Sequence, residues 1–287
     1  MRASRPLTLA LSPRQGGGTS TPTPTLRTKK EILPPSDYVS TVRFLPHGER
    51  GLVVELGDGI DPALNARVHA LARRIGAELR ADVEEVVPTY RSLLVVFDPL
   101  HIERAALVER IEALARDDAT DARSQAPPAR LVRVPVCYEG DLAPDLADVA
   151  RHAGVSTDEV VRLHGAPAYL VYMVGFTPGF PYLGGMPKEL ATPRLAKPRT
   201  TVPAGAVAIG GEQTGIYPVA SPGGWRIVGR TPLRLFDAAA ESPFLLAPGD
   251  RVRFAPVPRA EFDAIAAQVA KGGYRADASP FTGGDGS

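Results

Sequence analysis

Apolar and polar residues alternate on both sides of "PHGER" in the stretch "TVRFLPHGERGLVVELG". That period of two predicts a pair of strands around a turn. The period then changes. Asp61 is a good helix N-cap and Pro62 suits the first helical position. Leu64, Val68, Leu71 and Ile75 follow at helical spacing and mark one buried face. "VEEVVPTYRSLLVVFDP" returns to strand patterning. Leu107, Ile111 and Leu114 then line one side of a second helix over Glu103–Arg116. The order ββαββα predicts a small two-layer α/β domain over residues 41–116.

The pattern lapses in "DDATDARSQAPPA", residues 117–129, which is polar, holds two prolines and reads as a linker. "RLVRVPVCYEG" restarts a strand. Short strand signals then recur in "AYLVYMVGF", "TVPAGAVAIGG", "TGIYPVA", "WRIVGRTPLRLF" and "DRVRFAPV". Strands punctuated this often by glycine and proline predict a closed β-barrel or sandwich over residues 130–256. Phe262, Ile265 and Val269 mark a last amphipathic helix, and "FTGGDGS" reads as a loose tail, together spanning 257–287. At the other end, residues 1–40 contain "RQGGGTSTPTPTLRTKK" and predict a disordered tail.

One segment imitates a DNA reader. In Asp145–His164, Gly154 closes one helix and Ser156 with Glu159 forms a capping box for the next. Yet the second helix begins with Thr157, Asp158 and Glu159, which face phosphates poorly. The segment reads as a structural helix pair.

Composition narrows the classes further. The chain has 287 residues, enough for two domains, with 44% hydrophobic and 23% charged residues. A net charge of +1 supplies no field for nucleic acid or an anionic membrane, and neither is expected as a partner. Cys137 is the single cysteine, so an internal disulfide and a thiolate metal cluster are both excluded, and a reducing cytoplasm is the expected location. On its strand Cys137 reads as a small hydrophobe. No apolar run reaches transmembrane length, and "LTLALS" is too short for a signal-peptide core.

The chemistry-bearing region follows Gly165. "GFTPGFPYLGGMP", Gly175–Pro187, sets aromatics among glycines and prolines and carries no charge. All five histidines precede this block, so a triad or a histidine or cysteine metal site made wholly within it is excluded, and no metal is expected. "GGEQTG" lacks the lysine of a P-loop. What remains is a recognition set. Arg199, Arg226 and Arg230 suit a carboxylate or phosphate. Thr177 and Gln213 suit an amide or hydroxyl. Phe176, Phe180, Tyr182, Tyr217 and Trp225 can wall an apolar pocket. Glycine permits close backbone approach and proline fixes loop shape before binding. The set points to a preorganised binding surface for a small amide or carboxylate, with no catalytic residue identified.

"GFTPGFPYLGG", "PRTTVPAGAVAIGGEQTGIYP", "SPGGWRIVGRTPLRLFD" and "PGDRVRF" together resemble the KipI / allophanate hydrolase subunit 1 family. The likeness runs from about Val42 to about Phe254 and is strongest from Gly175 on. It implies an α+β chain, with a small two-layer α/β N-terminal domain followed by a cyclophilin-like β-barrel. That family includes the smaller, carboxyltransferase-like subunit of bacterial ATP-dependent 5-oxoprolinase. Its implied partners are a homologous large carboxyltransferase-like subunit and a third, LamB/YcsF-type subunit. ATP would be used by the assembled complex. The carried-over site is Arg199, Gln213, Tyr217, Arg226 and Arg230, with Phe176, Phe180 and Trp225 shaping the pocket. Two alternatives stand beside it: a protein inhibitor of a sensor histidine kinase, and a prolyl isomerase suggested by the barrel alone.

Overall fold

The computed structural model describes residues 42–117 and 128–281. The N-terminal tail, nearly all of the linker and the last residues of the C-terminal tail lie outside the described residues.

The first sheet forms where the alternation foretold it. Strands β1 (Arg43–His47) and β2 (Gly51–Glu55) pair antiparallel, with Arg43 opposite Glu55 and His47 opposite Gly51. Helix α1 (Pro62–Glu78) starts on Asp61, whose carboxylate accepts from the Ala63 and Leu64 backbone N–H groups at 2.8 Å each. Strands β3 (Val83–Pro88) and β4 (Ser92–Phe97) complete an antiparallel sheet of order β1-β2-β4-β3, and helix α2 spans Arg104–Asp117. In β4 burial alternates, with Leu93, Val95 and Phe97 fully inward. Those side chains meet Leu71 and Ile75 of α1 and Leu107 and Ile111 of α2 in one core. One face of the sheet is therefore covered by helices, as a half-buried antiparallel sheet requires.

The second body is built on β5 (Arg130–Val136), helices α3 (Leu146–Ala153) and α4 (Thr157–Gly165), β6 (Tyr169–Val174) and β7 (Pro181–Gly184). Strands β8 (Arg199–Val202), β9 (Ala206–Gly210), β10 (Gln213–Ile216), β11 (Ser221–Gly223) and β12 (Arg226–Arg230) follow. The described chain ends with β13 (Arg251–Pro256), helix α5 (Arg259–Ala270) and β14 (Asp277–Pro280).

Eight of these strands form one sheet in the order β12-β9-β10-β7-β6-β13-β5-β14, while β8 and β11 pair separately. Only β13 and β5 run parallel. The ladder does not continue around a full circle. Strand β12 meets the chain just past β5 at a single antiparallel bridge, where Cys137 and Arg230 exchange both backbone hydrogen bonds at 2.9 Å. The described residues thus form a mixed α/β fold with five α-helices and no sheet closed by a continuous ladder.

The helix pair behaves as read from its caps. Gly154 takes φ 71° at the end of α3, and Ser156 Oγ accepts from the Glu159 N–H at 3.2 Å. Helix α3 packs on β12 and α4 on β13, so both serve the core. Ahead of the C-terminal tail, Asp277–Pro280 forms a strand that the sequence reading did not foresee and pairs antiparallel with β5 from Arg133 to Arg130. All four residues are exposed and carry no apolar alternation. Backbone hydrogen bonds, invisible to hydropathy, hold this edge strand.

Candidate functional site

The loop after β6 carries the aromatics onto the sheet. The Gly175 N–H donates to the Phe180 carbonyl at 3.0 Å, and the Phe180 N–H to the Thr177 carbonyl at 3.0 Å. This tight turn holds Phe176 at φ 67°, the one positive φ of a non-glycine residue among the described residues. Such a conformation costs about 1–2 kcal/mol for an L-residue. Phe176 is nevertheless 72% exposed.

Phe180, by contrast, is buried and is the hub of the cluster. Its ring makes edge contacts with Phe176, Tyr182, Tyr217 and Trp225, with centroids 5.3–5.8 Å apart. Two glycines make room for the cluster. A Cβ on Gly210 would lie 2.5 Å from the Trp225 ring, and one on Gly223 would lie 2.4 Å from the Tyr217 hydroxyl. The aromatics over so much glycine and proline are therefore a packed wall with one rim residue standing proud.

This wall borders a pocket of about 250 Å³ lined also by Arg194, Gln213 and Pro222. Arg194 supplies its charge. The guanidinium lies 5.7 Å from the Trp225 ring centroid, a cation–π contact, and makes no ion pair with a described residue. Burial pushes the Tyr182 and Tyr217 hydroxyls up from their ordinary pKa, so both are neutral hydrogen-bonding groups at pH 7. Gln213 Nε2 donates to the hydroxyl of Tyr90, a residue of the first sheet's β3–β4 turn, at 3.0 Å. Burial, with Tyr182 and Tyr172 nearby, raises the Tyr90 pKa to about 12.

Six of the ten residues expected from sequence, Phe176, Phe180, Tyr182, Gln213, Tyr217 and Trp225, line this one pocket. Thr177 sits in the turn beneath it, and its hydroxyl is buried without a hydrogen-bond partner. The three expected arginines are not brought into the pocket. Arg199 Nη2 donates to Asp145 at 2.7 Å, and the other Asp145 oxygen accepts from the Ile227 N–H at 2.7 Å. Arg226 donates to Asp148 at 3.0 Å and to the Pro193 carbonyl at 3.1 Å. Arg230 donates to the Ala204 carbonyl at 3.0 Å. The carboxylates at the start of α3 are distant in sequence from these arginines, so residue type alone left the arginines looking free.

Arg194 and Tyr90 were missed. Arg194 stands in a proline-flanked loop with no carboxylate within four residues on either side, a signal that the sequence does hold. Tyr90 is an aromatic in the β3–β4 turn and is not part of the first sheet's core.

One histidine ahead of the block does reach it. His164 reaches into the glycine-rich block, with Nε2 2.8 Å from Thr214 Oγ1 and Nδ1 2.8 Å from the Tyr138 hydroxyl. Thr214 donates to the Ala208 carbonyl at 3.2 Å, so it accepts from Nε2–H, and Nδ1 accepts from Tyr138. The ring is fully buried, stacked on Phe254 at 4.4 Å, and burial lowers its pKa to about 3. A sealed neutral histidine of this kind organises a core.

A larger depression of about 630 Å³ lies by Phe244 and Tyr274. Its arginines are committed, Arg130 to Asp250 and Arg234 to Asp237, and Lys271 also lines it. Among the described residues no cluster of three or more histidine, cysteine, aspartate or glutamate side chains is placed to hold a metal. None of their helices is long and apolar enough to cross a membrane.

Known proteins bear directly on this pocket's owner. The family "Carboxyltransferase domain, subdomain C and D" matches residues 42–246, which span the first sheet, β5 to β12 and the whole pocket. A 5-oxoprolinase subunit of Escherichia coli O157:H7 is 44% identical over 209 residues, covering 73% of this chain and 93% of that protein. The solved structure of TTHA0988 is 39% identical with a TM-score of 0.63. The match covers 72% of this chain and 39% of that one. Urea carboxylase of Kluyveromyces lactis shares the fold, with a TM-score of 0.68 at 23% identity, over 84% of this chain and 24% of the other. These names give the kinase-inhibitor and prolyl-isomerase alternatives no support. A match over residues 42–246, with 93% of a 44% identical relative covered, makes this chain a member of the carboxyltransferase subdomain C and D family.

Proposed function

We propose that this chain is a subunit of an ATP-dependent 5-oxoprolinase, which hydrolyses the lactam amide of 5-oxoproline to glutamate. The 44% identity across 93% of the E. coli 5-oxoprolinase subunit carries the reading. The pocket agrees with it. Arg194 offers a cation for a carboxylate, Gln213 an amide partner, and the aromatic wall a dry surface for a five-membered ring.

The chemistry needs more than this chain. A lactam amide resists water, and phosphoryl transfer from ATP to its oxygen, with release of ADP, makes the carbonyl carbon electrophilic. Water adds to that carbon, the C–N bond breaks as the nitrogen takes a proton to become the free amine, and a second water hydrolyses the resulting acyl phosphate to carboxylate and phosphate. Hydrogen-bond donors aimed at the developing charge lower this barrier. A pocket of about 250 Å³ with a single cation fits a small acid better than a nucleoside triphosphate. ATP is therefore assigned to the assembled complex, with its phosphates held by another component.

The partners in this reading are a homologous large carboxyltransferase-like subunit and a third, LamB/YcsF-type subunit. The span of 39% of TTHA0988 supports the first, because more than half of that single chain lies outside the match. The exposed Phe176 rim is the natural docking point for such a partner. Within this chain we read residues 41–116 and 130–256 as two domains. The second is a cyclophilin-like barrel drawn together at the Cys137–Arg230 bridge. A cytoplasmic location belongs to the same reading.

The test is 5-oxoproline-dependent ATP hydrolysis by the three components mixed, with each omitted in turn. Turnover only with all three is the expected result. A folded, complete set that leaves 5-oxoproline untouched would overturn the substrate assignment.

A further inference from the structure

The residues lining the pocket all follow β6, yet two of them are held from the first sheet. Tyr90, at the β3–β4 turn of the first sheet, is gripped from three directions. Asn65 on α1 donates through Nδ2 to the Thr89 carbonyl at 3.0 Å and the Tyr90 carbonyl at 3.2 Å. The Tyr90 ring packs on Tyr172 at 5.2 Å and on Tyr182 at 5.8 Å. Its hydroxyl takes the hydrogen bond from Gln213 Nε2 at 3.0 Å. Nearby, His69 on α1 donates to the Tyr172 carbonyl at 2.7 Å, pinning β6 to the same helix. A continuous run of contacts thus links α1 to two pocket walls, Tyr182 and Gln213.

The bond to Gln213 has a chemical consequence. A carboxamide can present either a donor or an acceptor to a ligand, and a free rotor presents both. Here one N–H of the NH₂ group is engaged by Tyr90, which sets the rotation of the amide, and the carboxamide oxygen has no hydrogen-bond partner among the described residues. Gln213 and Arg194 both line the pocket, so it holds an acceptor and a cation together.

We infer that Tyr90 is a positioning residue that fixes the Gln213 amide as an acceptor, so that the pocket selects small carboxylates bearing an amide N–H over isosteres that lack it. This rests on the reading of the pocket as the 5-oxoproline site. Rejection of an isostere follows because a ligand without the N–H leaves a desolvated acceptor unpaired.

Trp225 is the only tryptophan of the chain and lines the pocket, so its fluorescence reports occupancy there. The full-length chain is titrated with 5-oxoproline and with 5-oxotetrahydrofuran-2-carboxylate, which has a ring oxygen in place of the N–H. Wild type is expected to prefer 5-oxoproline by about tenfold, the worth of one hydrogen bond. Tyr90→Phe keeps the ring contacts, and is expected to erase that preference by weakening 5-oxoproline about tenfold while leaving the oxygen analogue within about twofold. Gln213→Ala removes the same preference from the pocket side, so the test stays decisive should Tyr90→Phe loosen the fold. Tyr90→Phe added to Gln213→Ala has no further effect if the two act as one unit. Equal weakening of both ligands by Tyr90→Phe would mean a merely structural role and overturn the inference. So would a wild-type Trp225 signal that ignores both ligands. Were the three-component ATP hydrolysis active in that last case, the subunit assignment would stand and the pocket assignment alone would fall.

Discussion

Acid should unlock the core at His164 before it protonates most carboxylates. In the folded chain the ring is sealed between Tyr138, Thr214 and Phe254, and burial lowers its pKa from 6.5 to about 3. In the unfolded chain it titrates near 6.5. Between those values the unfolded state binds a proton that the folded state refuses, so stability falls as pH falls. Each pH unit in that window costs about 1.4 kcal/mol, which gives about 2 kcal/mol between pH 6.5 and pH 5. Above pH 6.5 the group contributes no slope, and below pH 3 the loss levels off at about 5 kcal/mol. Urea unfolding at pH 7, 6 and 5 measures this directly, with His164→Gln as the reference. A glutamine amide can still donate to Thr214 and accept from Tyr138, but it does not titrate. The variant starts less stable because it lacks the stacked ring, yet it should lose about 2 kcal/mol less than wild type on going to pH 5. The other histidines, including the partly buried His69, whose pKa is also lowered by burial, are common to both proteins and cancel in the difference. Parallel pH profiles for the two proteins would refute the sealed-histidine argument, as would an imidazole that NMR shows titrating near 6.

The Asp145 carboxylate joins α3, β8 and β12, so Asp145→Ala should destabilise the chain by about 3 kcal/mol, leaving both the Arg199 guanidinium and the Ile227 N–H without their acceptor. Chemical denaturation measures it; a loss under 1 kcal/mol would show that solvent already satisfies those groups. Gly210→Ala would drive a Cβ into the Trp225 ring, so the folded protein should show red-shifted tryptophan emission and a stability loss of roughly 2 kcal/mol or more. An unchanged spectrum would contradict that packing. Phe176→Gly relieves the strained φ while removing a largely exposed ring. Its unfolding midpoint should therefore barely move, with a net change within about 1 kcal/mol, whereas activity of the assembled complex should drop if the rim contacts a partner. Normal activity would remove Phe176 from the docking surface.

How far the sequence could be read depended on whether the deciding contact was local. The ββαββα order, the Asp61 cap, the Gly154 stop and the inward faces of α1 and α2 all follow from neighbours within a few residues, and each was visible. So was the aromatic wall, because its members crowd into three short segments rich in glycine. The fates of the charged groups were not visible. Arg199 meets Asp145 across 54 residues and Arg226 meets Asp148 across 78. Nothing near either arginine announces a partner. Strand β14 escaped for a related reason: it contributes backbone pairing and no burial. His164 precedes the glycine-rich block in sequence, and the turn into β6 places it in hydrogen-bonding contact with Thr214, a pairing that residue order does not announce.

These long-range pairings also change what an arginine substitution can reveal. Arg199 and Arg226 are the residues that a charge-based reading would mutate first, and their loss should abolish activity. That outcome would follow from structure alone, since each arginine ties β8 or β12 to the start of α3. Arg194 carries no such duty. It lies over Trp225 with no carboxylate partner among the described residues, and neutralising it opens no buried ion pair. Arg194→Gln is therefore the substitution that separates ligand recognition from folding. The unfolding midpoint should stay within about 0.5 kcal/mol of wild type. Affinity for 5-oxoproline, read from Trp225 emission, should fall by roughly tenfold or more, the worth of a charge-assisted hydrogen bond in a partly dry pocket. The wild-type affinity should also weaken with added salt while that of the variant does not, because only the former pairs opposite charges. If Arg194→Gln binds 5-oxoproline as wild type does, the cation in this pocket is not the carboxylate's partner, and the site's chemistry must be sought on the surface that Phe176 presents to another subunit.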